Sequence, residues 1–168
     1  MKKTVAMNMG LLRSPLALSA VAIDFAILML VSLSTAAIAQ PSNNRSKDEA
    51  AIRSVLEAQA AAWNRGDVEA YMDGYDRSPK TEFVGGDSIT RGWQQVLDRY
   101  KQKYDSREKM GTLTFSDLEI KVLSADAALV LGRWRLKRAN DEPHGTFTLL
   151  FRKTKAGWRI VHDHSSSA

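Results

Sequence analysis

Between Ser46 and Tyr104 the apolar residues return every third or fourth position, whereas after Gly111 they return every second one. The first spacing lays a stripe along a helix and the second paints one face of a strand, so the change of period divides the chain into a helical part and a sheet part. Ser46-Lys47-Asp48-Glu49 reads as a capping box, and Ile52, Val55, Leu56, Ala60 and Trp63 behind it form the buried stripe of a first helix. Asn64-Arg65-Gly66 closes that helix, with glycine at the left-handed position. Asp67 caps a second short helix through Tyr75, with Val68, Tyr71, Met72 and Tyr75 on one side, and Ser78-Pro79 stops it.

Thr81 to Val84 predicts a short strand broken by Gly85-Gly86-Asp87, and Trp93, Val96, Leu97, Tyr100 and Tyr104 mark a third helix. Ser106 to Gly111 is a connector. Four strands then follow, over Thr112–Leu123, Ala127–Arg138, Thr146–Thr154 and Trp158–Ser165, with joints short enough for antiparallel hairpins. Helices first and strands last predict an α+β fold: a cone-shaped barrel of three N-terminal helices packed on a curved antiparallel sheet. Such a cone encloses a hollow, and the hollow is where function is expected.

Ahead of this domain lies a different pattern. Lys2, Lys3 and Arg13 make a basic start, Phe25 to Leu33 is almost wholly apolar, and Ala37-Ile38-Ala39 offers small residues on either side of one larger one. That is the layout of a secretory signal peptide, with cleavage expected after Ala39. Asp24 disfavours the rival reading of a retained membrane anchor, because a carboxylate at the bilayer centre costs roughly 2.5–3.5 kcal/mol. The expected organisation is a signal peptide over 1–39, a flexible linker over 40–47 and one domain over 48–166. The protein is expected to be periplasmic or secreted, with no membrane association after cleavage.

Composition excludes more than it selects. With no cysteine, a disulfide framework, thiolate zinc sites and cysteine nucleophiles are ruled out. The net charge of +5 includes the basic start of the leader, so the domain itself is too mildly basic to suggest nucleic acid. The basic residues near the strand ends, such as Arg152, Lys153 and Arg159, lack interleaved stacking aromatics and read as a solvated rim.

Trp63-Asn64-Arg65-Gly66-Asp67, the aromatic Tyr71, Thr90-Arg91-Gly92 before a helix, and the closing run from Gly157 to Ser165 together resemble the nuclear transport factor 2-like superfamily. Within it the chain is similar to SnoaL-like, polyketide cyclase-like small bacterial domains and to the association domain of calcium/calmodulin-dependent kinase II. The resemblance spans about residues 48–166. It implies the cystatin-like cone, a homodimer formed through the outer sheet face, and a pocket. In the kinase association domain, pocket arginines hold carboxylates; Arg133 matches one of them, but Leu149 and Ser165 stand where two others would be. The fold hosts isomerases, hydrolases, cyclases and oligomerisation hubs, so it does not settle the chemistry.

Candidate site residues follow from side-chain chemistry. Arg133, mid-strand among apolar neighbours, needs a partner or a wet cavity; it is expected to anchor a ligand, or else to pair with Asp163 or Glu82. His162 and His164 share a face if the strand is regular, and an imidazole titrates near neutrality, which suits general acid–base work. Two histidines without a third ligand make no metal site, and neither a metal nor another cofactor is expected. A regular strand puts Asp163 on the face opposite the histidines, and a single bulge would invert that assignment. His164, Asp163 and Tyr75 are the catalytic candidates; Arg133, Tyr71, Trp63, Trp93, Arg91 and His162 are the ligand-binding candidates. The expected function is to bind an unknown small molecule, anionic or part polar and part apolar, in the cone. The alternatives are a small-molecule isomerase, cyclase or hydrolase using a pocket His or Asp as base, and a dimerisation module.

Overall fold

The described residues run from Pro41 to Ala168 in this computed structural model. The expected signal peptide and its cleavage point lie outside them. Helix α1 (Pro41–Asn64) already runs ahead of Ser46. Capping at Ser46 is therefore not what starts the helix. Ile52, Leu56, Gln59 and Trp63 are its buried stripe.

The Trp63-to-Asp67 run is an architectural joint. Trp63 donates its indole N–H to the Met110 carbonyl at 3.1 Å, and the Asn64 amide bonds both the N–H and the carbonyl of Leu113, at 2.7 and 3.0 Å. Asn64 thus mimics a neighbouring strand and pins the end of α1 to the sheet. Gly66 turns the chain at φ 87°, and Asp67 caps α2 (Val68–Met72) by accepting from the Ala70 N–H at 2.9 Å.

The predicted strand is observed as β1 (Glu82–Gly85), and it is one half of a hairpin with β2 (Ser88–Arg91), which the alternation did not reveal. Two-residue turns at Gly86 and four-residue strands are too short to show a period. Helix α3 (Trp93–Lys103) follows, then a single turn, α4 (Arg107–Met110), inside the stretch expected to be a connector. The meander is β3 (Thr112–Val122), β4 (Ala127–Lys137), β5 (His144–Thr154) and β6 (Gly157–Ser165), each within two residues of its expected bounds. All six strands form one curved sheet in the order β2-β1-β6-β5-β4-β3, parallel only between β1 and β6. The helices cover its inner face, in an α+β arrangement with the cystatin-like cone.

Two irregularities shape the cone. In β3 the pairing slips between Ser116 and Glu119, around Asp117 at φ 52°, so that Phe115 and Leu118 both point inward. In β6 the register with β5 shifts between Ile160 and His162, leaving Val161 as the extra residue. The shift falls where β6 changes partner on its other edge: Ile160 pairs with Tyr75, and from His162 onward the partner is β1.

Candidate functional site

The bulge at Val161 decides which side chains face the hollow. Trp158 and Ile160 are buried before it, and Asp163, not His162, is buried after it, at 4% exposed. Asp163 and Ser165 line the cavity between helices and sheet, while His162 is half-buried and His164 exposed on the other side. The regular-strand expectation grouped Ile160 with the histidines; the bulge separates them.

The cavity measures about 100 Å³. A single water needs roughly 10–15 Å³, so there is room for several waters or a ligand of a handful of heavy atoms. Its walls are aromatic on the helical side and partly aliphatic on the sheet, where Leu113, Leu136, Leu149 and Ile160 face it. Trp63 meets Tyr71 and Tyr104 edge-to-face at 5.1 and 4.7 Å between ring centres, Tyr71 lies 5.2 Å from Tyr100, and Phe115 meets Phe147 at 5.4 Å. Lys103, Trp134 and Ser167 stand where the cavity meets solvent. The Trp134 indole N–H bonds the Ser166 carbonyl at 3.0 Å and the Ser166 N–H bonds the Thr146 carbonyl at 2.9 Å, so the C-terminal residues run along the rim.

One polar group dominates the interior. The Tyr75 hydroxyl donates to one Asp163 oxygen at 2.6 Å, and the Ser165 hydroxyl donates to the other at 2.7 Å. Burial pushes the Asp163 carboxyl above its ordinary value; the hydrogen bonds from Tyr75 and Ser165 and the nearby His162 and His164 oppose that push without cancelling it. Burial, reinforced by the Asp163 charge, drives Tyr71 and Tyr75 well above 10.0 as well, so they stay neutral hydroxyls. Tyr100 belongs to the same cluster, raised by burial first and then by its neighbour Tyr71. Gln59, 2% exposed, donates to the Tyr71 carbonyl at 3.1 Å and fixes that residue's backbone.

The structure thus gathers four of the nine candidates, Asp163, Tyr75, Tyr71 and Trp63, around one cavity. The other five lie elsewhere. Arg133 projects from the outer face of β4 and pairs with Asp117 at 3.2 Å, each side chain more than 60% exposed; the odd-numbered positions of β4 point away from the helices, and neither Asp163 nor Glu82 is its partner. Arg91 bonds Glu82 at 3.0 Å, and His162 bonds the same carboxylate at 3.1 Å, which makes both part of a brace across β2, β1 and β6. Trp93 gives its indole N–H to the Met72 carbonyl under the Arg77 guanidinium, outside the cavity. His164 is exposed beside β1. Tyr100, Tyr104, Phe115, Trp134 and Ser165 were missed as lining residues. For the first two the signal was present in the α3 stripe; for Phe115, Trp134 and Ser165 the inward face depends on register.

A SnoaL-like domain matches residues 52–168. The chain belongs to the SnoaL-like family. Among solved structures, a nuclear transport factor 2-like protein of unknown function from Shewanella oneidensis MR-1 is 44% identical, with a TM-score of 0.68 over 70% of this chain and 98% of that one. A nuclear transport factor 2-like superfamily protein from Salmonella enterica is 22% identical at a TM-score of 0.61, covering 73% of this chain and 92% of its own. A ketosteroid isomerase-like protein from Erwinia carotovora is 20% identical at 0.57, over 70% and 94%. The last two likenesses speak to the fold alone. No curated protein matches this SnoaL-like chain.

Proposed function

We propose that this SnoaL-like domain binds a small molecule, part polar and part apolar, in the cone, with Asp163 as the polar anchor. The observation that supports this reading is a buried carboxyl, held by Tyr75 and Ser165, on the wall of a cavity lined mostly by aromatic and aliphatic side chains. A buried carboxyl is destabilising unless something repays its desolvation, and functional sites are where such groups gather. The test is a set of small neutral, anionic and cationic compounds titrated against the protein by NMR. Saturable shifts confined to Trp63, Tyr71, Tyr100 and Asp163 support the reading; no compound of any charge shifting them removes it.

A second reading has its own support. A carboxyl and a phenol 2.6 Å apart, with both pKa values raised, are suited to proton transfer at a bound substrate. Asp163 would then act as the base, held in position by the Tyr75 hydroxyl that donates to it. Turnover lost in Asp163→Asn but merely slowed in Tyr75→Phe supports catalysis; binding without turnover leaves the first reading.

We also propose that a second copy covers the outer sheet face, where Leu131 is 43% and Ile89 53% exposed and Leu129 and Leu150 are half-buried. A monomer in sedimentation, unchanged by Leu131→Glu, refutes this. Export rests on the sequence of residues 1–39, and N-terminal sequencing of the secreted or periplasmic protein tests cleavage after Ala39.

A further inference from the structure

We infer that the ligand of this cavity is a small organic ammonium compound, its cationic nitrogen boxed by aromatic rings and balanced by Asp163. This rests on the reading that the cavity is a binding site, and it adds the charge of the occupant.

The first argument is the direction of the hydrogen bonds. Tyr75 and Ser165 both donate to Asp163, one to each oxygen. A carboxyl approached by donors on both oxygens is arranged to accept, and a carboxylate retains further lone pairs for a third donor or a cation. A ligand that itself needed a donor from Asp163 would compete with this arrangement.

The second is the missing countercharge. Asp163 is 4% exposed, yet among the described residues it has no Lys or Arg partner, and the only basic groups acting on it are the imidazoles of His162 and His164, on the other face of β6. Lys103 is the one basic side chain on the cavity wall, and it is exposed at the rim, its ammonium 5.4 Å from the centre of the Tyr104 ring. Other acids on the sheet are neutralised locally, as Glu82 is by Arg91 and Asp117 is by Arg133. An interior anion without a cation is costly to keep, and a cationic ligand supplies what the chain does not.

The third is the wall. Trp63, Tyr71, Tyr100 and Tyr104 all line the cavity and meet one another at interplanar angles from 60° to 81° in four of their five contacts, so the ring faces beside it are not stacked in one direction. Ring faces are electron-rich, and such boxes hold ammonium groups through cation–π attraction. Lys103 at the rim would favour an acceptor or anionic group at the far end of the compound.

The test compares choline with its neutral isostere, in which carbon replaces the ammonium nitrogen, by calorimetry and NMR. Choline should bind at least about ten-fold more tightly, and that margin should shrink in Asp163→Asn to what the aromatic rings alone supply. If the variant fails to fold, the unmodified protein still reports. The groups that surround Asp163 are Tyr75, Ser165, His162 and His164, with Tyr71 and Tyr100 from the helices. Choline binding should therefore release a proton from Asp163 wherever the free protein keeps it protonated, seen as a buffer-dependent heat in titrations run across the acid range, which the isostere should not produce. An isostere that binds as tightly as choline, or a cation that binds without proton release and equally well to Asp163→Asn, overturns the inference and leaves the cavity as a binding site. If neither compound binds while another in the wider set does, the inference also falls alone. If nothing binds, both readings fall.

Discussion

Tyr75→Phe removes one oxygen from the interior, and the structure sets what that should cost. The hydroxyl is the donor to Asp163 at 2.6 Å, and Tyr75 is 1% exposed. A hydrogen bond to a charged partner contributes roughly 1.5–3 kcal/mol, and the partner left behind must be desolvated without it. The adjoining cavity could supply a water to the orphaned oxygen, which places the expected loss towards the lower half of that range. For a domain of this size the melting temperature should drop by roughly 6–9 °C. The pH dependence makes the prediction sharper. Asp163 titrates above its unfolded value of 3.8, so its ionisation works against folding: its own contribution to stability is fully present below 3.8 and is lost as pH rises through the folded pKa. The Tyr75 bond pulls that pKa down, so deleting the hydroxyl raises it further and steepens the loss. Urea denaturation of both proteins at about pH 4 and about pH 8 should therefore show a small difference in acid and the full difference in base. Asp163→Asn in the same background should shrink the cost of Tyr75→Phe by about 1 kcal/mol, as expected for groups in direct contact. A cost below about 0.5 kcal/mol at both pH values, or one that does not depend on pH, refutes the account of the buried pair.

Gly74→Ala should destabilise by about 1–3 kcal/mol, because a methyl there would stand 2.5 Å from the Gln59 side chain that holds the Tyr71 carbonyl; an unchanged urea midpoint contradicts this. Arg133→Ala should alter stability by less than about 1 kcal/mol, its ion pair being exposed. Ligand-induced shifts should also persist in that variant, and their loss would return Arg133 to the site. Asp48 accepts from Lys153 at 2.7 Å and from Trp158 at 3.0 Å, which hold its pKa below 3.8. Its contribution is present above 3.8 and lost as pH falls through the lowered value, so Asp48→Asn should flatten the acid end of the stability profile, measured by urea midpoints between about pH 5 and about pH 2.

Much of the fold was legible because its signals are local. The amphipathic helices and the four long strands each announce themselves within a dozen residues, and Gly66, Asp67 and Gly157 mark turns or caps through their own chemistry. Trp63 and Tyr71 could be placed on inward helix faces for the same reason, whereas Tyr75, expected at the end of the second helix, lies three residues beyond it in a bridge to Ile160. The hairpin of β1 and β2 and the single turn of α4 were not legible, being shorter than the windows over which a period shows.

The site is a different matter. Alternation along β6 assigns Asp163 and the two histidines to opposite faces correctly, but it cannot say which face meets the helices once a residue is inserted. That depends on β6 exchanging Tyr75 for β1 as its neighbour between Ile160 and His162, an event fixed by chain segments about eighty residues away. Likewise Arg133 needed a partner by its chemistry, and only the bulge at Asp117 shows that the partner lies on the outside. Residue chemistry and period thus determined the elements and the aromatic half of the cavity. Tertiary pairing decided which carboxyl stands inside it, because a bulge carries no energy of its own until a partner strand is there to register it.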